Sequence, residues 1–87
     1  MSDKNPYDGL KEKLDNINWP AIYLFKFIGP EEKINQIKPL FELGESHTKL
    51  SRKGNYVSLT VKMMILNSNQ VIDIYLEVNK IKGIIAL

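Results

Sequence analysis

The sequence predicts an α+β domain of β-α-β-β-α-β order, a four-stranded antiparallel sheet with two helices packed on one face. Three observations point there. Residues 56–66 alternate apolar and polar side chains over a length only a strand would use. Two further stretches repeat their apolar residues at helical spacing: Ile34, Ile37, Leu40 and Phe41, then Val71, Ile74 or Tyr75, and Val78. Turn signals at Gly29-Pro30, Gly44, residues 52–55, residues 67–69 and Gly83 divide the chain into short elements. In this order of elements, the economical packing is a ferredoxin-like split βαβ arrangement.

Residues 1–18 form a polar N-terminal segment, and residues 19–87 form the single domain. Leu10, Leu14 and Ile17 allow a short helix over residues 9–16. Trp19-Pro20 ends it, because the residue before a proline is pushed out of the α region. Trp19 is expected to pack as a lid on the domain edge. Residues 21–28 form the first strand, with Tyr23, Phe25 and Phe27 on one face and Leu24, Lys26 and Ile28 on the other. Lys26 marks the second face as the outer one. The first helix opens at Pro30, with Glu31 and Glu32 at the positive end of its dipole, and Pro39 interrupts it. Residues 47–52 are a charged edge strand guarded by Lys49 and Arg52. Asn67 caps the second helix, which runs to about Lys80, and residues 83–87 close the sheet. The inward set is Tyr23, Phe25, Phe27, Val57, Leu59, Val61, Met63, Ile85 and Leu87, with both helix stripes.

Composition excludes several chemistries. With 87 residues there is room for one domain, and the 44% apolar and 25% charged fractions are those of a globular chain. The sequence has no cysteine, which removes disulfides, thiolate metal sites and a cysteine nucleophile, and fits a cytoplasmic location. Residues 1–7 contain no apolar run of the kind a secretory signal needs, and no stretch approaches a membrane span. A net charge of +2 does not argue for nucleic acid.

Three segments carry a family resemblance: Trp19-Pro20 ahead of Lys26-Phe27-Ile28-Gly29, then Ser51-Arg52-Lys53-Gly54-Asn55-Tyr56-Val57-Ser58, then Ile84-Ile85-Ala86-Leu87. From about Leu14 to Leu87 the chain resembles the YbeD-like family of small bacterial proteins, domain of unknown function family 493. The Ser-x-Lys-Gly-Asn-Tyr-x-Ser stretch is the most specific part. The first helix departs from the family pattern at Pro39. The resemblance implies a ferredoxin-like fold similar to the ACT regulatory domains, which bind small ligands such as amino acids at subunit interfaces. It transfers no catalytic residue, and fold analogy alone does not establish function.

The residues themselves offer little catalysis. His47 is the only histidine, and Glu45 stands two residues away on the same edge. Glu31 and Glu32 serve a helix dipole, while Asp73, Glu77 and Lys80 read as a solvated helix face. Acylphosphatases share the predicted topology but need an arginine after the first strand, where this chain has Gly29, Pro30, Glu31 and Glu32. RNA-recognition motifs stack bases on outward aromatics. Here those positions hold Asn55, Val57 and Thr60, so nucleic acid is not the favoured partner. No catalytic, metal or cofactor residue is assigned.

One constellation remains. The outer sheet face is predicted to gather Lys26, Lys49 and Lys62 with Ser58 and Thr60, while Gly29 marks the ACT-like ligand position at the first strand–helix loop. The expected function is a non-enzymatic regulatory or interaction module acting through a small ligand or a protein partner. The alternative is nucleic-acid or other polyanion binding through the lysine face. The uncharged run at residues 84–87 also raises a homodimer through an apolar sheet edge.

Overall fold

A computed structural model describes residues 8–51 and 53–87. The expectations for residues 1–7 and for Arg52 as an edge guard lie outside them. The elements are α1 (Asp8–Asp15), β1 (Ala21–Gly29), α2 (Glu31–Ile37), a 3₁₀ turn (Lys38–Phe41), β2 (Glu45–Leu50), β3 (Val57–Ile65), α3 (Ser68–Asn79) and β4 (Ile85–Ala86). The sheet runs β2-β3-β1-β4 and every pairing is antiparallel, the ferredoxin-like arrangement. No helix among the described residues is long and apolar enough to cross a membrane.

The core forms between the inner sheet face and the helices. Phe25 and Phe27 of β1, and Val57, Leu59, Val61, Met63 and Ile65 of β3, are buried there. Ile34 and Ile37 of α2, Phe41 of the 3₁₀ turn, and Val71, Ile74 and Val78 of α3 close over them. The rings pack tightly: Phe25 lies 5.4 Å from Phe41, and Tyr75 stands edge-on to Phe25 at 5.6 Å. Leu40 stays at the surface, because the helix of residue 34 gives way to a 3₁₀ turn at Lys38. Pro39 lacks the N–H that an α-helix would need there, and the 3₁₀ turn swings Phe41 inward instead.

α1 is held in place by Trp19. The indole N–H lies 3.0 Å from the Leu14 carbonyl and 3.1 Å from the Ser68 hydroxyl, donating to both. This joins the end of α1 to the start of α3 and buries Leu14. At that start Asn67 accepts from the Gln70 N–H at 3.0 Å, while the Gln70 side chain accepts from the Leu66 N–H at 2.8 Å, a reciprocal cap.

Two expectations need correction. Ile85 and Leu87 are not in the core; they are 61% and 64% exposed on the outer sheet face. Ile85 pairs with Ile28, which points outward, so parity places Ile84 inward in its stead. β2 begins at Glu45 rather than His47, since its ladder with β3 extends to the Glu45–Lys62 pair.

Candidate interaction face on the open sheet

The helices cover one sheet face, and the register defines the other row by row. Nearest the β2–β3 hairpin, Ile28, Ser58 and Lys49 lie abreast on β1, β3 and β2. Lys26, Thr60 and His47 form the next row, then Leu24, Lys62 and Glu45, and finally Ile22 beside Met64. Ile85 and Leu87 extend the first two rows onto β4.

This places all five predicted polar side chains on one face, with the three lysines in three successive rows. Lys26 and Lys62 are diagonal neighbours, with Cβ atoms about 7–8 Å apart by ladder geometry. Lys49 stands two strands from Lys26, on the order of 10 Å away. Glu45 is the cross-strand neighbour of Lys62, and its negative charge offsets part of the positive field. Ser58 already donates to the Lys49 carbonyl, at 3.5 Å.

Gly29 sits elsewhere. It is buried at the end of β1, and a Cβ there would lie 3.0 Å from the Gly83 carbonyl oxygen and 3.1 Å from the Ile84 side chain. The bare position lets β4 close against β1, so the space beside it is filled by the chain itself.

The features that sequence reasoning missed are mostly apolar. Ile22, Leu24 and Met64 are 67%, 55% and 53% exposed, and Ile85 and Leu87 join them on the same face. Period-2 alternation in β1 had already placed Leu24 and Ile28 opposite the aromatic face, so the signal was present. Glu45 was missed because the strand start was placed two residues late.

At the hairpin end the face dips into an open groove of about 440 Å³, lined by Ile28, Lys49, Leu50, Ser51, Tyr56 and Ser58. The hairpin that builds it is tightly bonded. Ser51 N–H donates to the Tyr56 carbonyl at 2.8 Å, Tyr56 N–H donates to the Ser51 hydroxyl at 3.2 Å, and Gly54 turns the chain at φ 72°. Among the described residues, no three His, Asp or Glu side chains are grouped to hold a metal ion.

Neither the curated proteins nor the solved structures contain a match to this chain. A family model does match, over residues 15–87, and its description is "Protein of unknown function (DUF493)". That span takes in the whole sheet, α2, α3 and the hairpin motif. The chain therefore belongs to the DUF493 family, with which the YbeD-like resemblance of its hairpin is consistent.

Proposed function

We propose that this chain is a non-enzymatic interaction module of the regulatory, ACT-like type, which docks a protein partner on its open sheet face. The observation that carries the reading is the exposure of Ile22, Leu24, Met64, Ile85 and Leu87 together on one face. Scattered surface apolar residues are ordinary, but a contiguous group of large ones marks a contact surface. Lys26 and Lys62 lie among them, so the complementary partner presents an apolar patch ringed by carboxylates. Cytoplasmic placement, expected from the cysteine-free sequence, belongs to the same proposal.

The test begins with capture of partners from native lysate on immobilised protein. The captured protein is then purified and titrated calorimetrically against wild type, Met64→Asp, Lys26→Glu and the helix-face control Gln36→Lys. Wild type and control are expected to bind alike, and Met64→Asp and Lys26→Glu each to lose at least about tenfold, since the first puts a charge into an apolar contact and the second reverses a charge within the patch. Unchanged binding by Met64→Asp overturns the reading. Nucleic acid bound with a steep salt slope would favour the polyanion alternative instead.

A second reading rests on the groove. Lys49 at its rim and Ile28 and Leu50 along it suit a small carboxylate with an aliphatic body. Titration with a short fatty acid is then expected to shift the amides of residues 49–51 and 56–58, and an absence of shifts at low salt removes this reading.

A further inference from the structure

We infer that the free edge of β1 docks a second copy of this chain, β1 against β1 in antiparallel register about a twofold axis at Tyr23. The inference differs from the partner reading in using the main-chain edge of β1, although the Ile22 and Leu24 side chains belong to both surfaces.

The argument starts from how little of β1 the neighbouring strand covers. β4 pairs only with Phe27 and Ile28, and the Leu87 N–H donates to the Lys26 carbonyl at 2.8 Å. That last bond sets the parity of the strand. In an antiparallel ladder a residue's N–H and C=O point to the same side, and alternate residues point to opposite neighbours. Even-numbered positions of β1 therefore face the β4 side, and odd-numbered ones face β3. Among the described residues, no strand pairs with Ala21–Phe25 on the β4 side, so the main-chain groups of Ile22 and Leu24 face an open edge.

Natural sheets protect such edges with charge, proline or a bulge. The opposite edge follows that rule, since β2 carries Glu45, His47 and Lys49. The run Ala21-Ile22-Tyr23-Leu24-Phe25 carries no charge and no proline, and its register with β3 is continuous. It is also self-complementary. With Tyr23 opposite Tyr23 of the second copy, Ile22 falls opposite Leu24 and Leu24 opposite Ile22. These are the positions whose main-chain groups point outward, so each pair can exchange both its N–H and its C=O. The exposed Ile22 and Leu24 side chains then gain apolar neighbours on the outer face. In this register Pro20 of the second copy would fall opposite Lys26, the position Leu87 holds, so the shared ladder is confined to Ile22–Leu24 and the chain leaves the edge at Pro20, which has no N–H to donate.

Sedimentation equilibrium from low micromolar to millimolar concentration tests this. Wild type is expected to rise from the chain mass of 10.0 kDa toward twice that value. Leu24→Pro deletes an edge-facing N–H without touching the β1–β3 ladder, and is expected to stay at single-chain mass, while Leu24→Ala still doubles. A wild type of single-chain mass throughout overturns the inference, as does a folded Leu24→Pro variant that still doubles. Should Leu24→Pro fail to fold, wild-type hydrogen exchange decides. The Ile22 and Leu24 amides are expected to slow as concentration rises, and rates independent of concentration overturn the proposal.

Discussion

Replacing Leu59 with alanine tests the assignment of the two sheet faces. Leu59 is fully buried in the middle of β3, opposite Phe27 on one side and Thr48 on the other. The change removes three carbons, which at about 0.8 kcal/mol each amounts to roughly 2.4 kcal/mol of transfer free energy. A residual cavity adds about 1–2 kcal/mol, because the site cannot collapse easily. Its walls are two paired strands and rings already in contact, Phe27 lying 5.7 Å from Phe41 and 6.1 Å from Phe25. The expected loss is about 3–4 kcal/mol, a large share of the roughly 4–13 kcal/mol typical for a chain of this length. Ser58, one residue away, points outward and makes only a long bond to the Lys49 carbonyl, so Ser58→Ala is expected to cost under about 0.5 kcal/mol. Urea denaturation of both variants, with slopes compared to confirm an unchanged unfolding transition, measures the difference. In thermal melts Leu59→Ala is expected to fall by about 12–30 °C. A Ser58→Ala variant as damaged as Leu59→Ala would refute the assignment of faces.

Trp19→Phe keeps most of the ring but deletes the indole N–H, leaving the buried Ser68 hydroxyl and the Leu14 carbonyl each short of a donor. A loss of about 1–3 kcal/mol is expected, with hydrogen exchange in α1 accelerating more than in the sheet, and equal acceleration everywhere would count against a local latch. The Ser68 hydroxyl, and then the Lys11 ammonium 3.1 Å away, hold the Asp15 carboxyl below its ordinary value. A carboxyl lowered in the folded state stabilises above its unfolded pKa and loses that contribution as pH falls through the folded one. The stability of wild type relative to Asp15→Asn is therefore expected to be level near neutrality and to shrink below about pH 4; a difference that does not change with pH would sink this reading.

Local chemistry made most of the fold legible. The alternation of residues 57–65 and the aromatic face of β1 are period-2 signals that survive in any sheet, because each side chain must point to one face or the other. Asn67, Pro30 and Gly54 act within a few residues of themselves, so their caps and turn could be read from the chain. The five polar candidates did fall on one face for the same reason.

What only the tertiary structure decided depends on pairing between distant segments. Whether Ile85 points in or out follows from its register against Ile28, and a shift of one residue reverses it. The ladder, not the local sequence, sets Glu45 opposite Lys62 and puts the three lysines in three different rows. The close approach of residues 83 and 84 to Gly29 likewise depends on β4 returning beside β1. The uncovered stretch of β1 emerges only once β4 is known to pair with just two of its residues. The sequence by itself thus determined which residues alternate, cap and turn, since those preferences are set by neighbouring atoms along the chain. The tertiary structure decided which faces meet, which edge stays open and which charges are neighbours, since strand register is a property of two segments together.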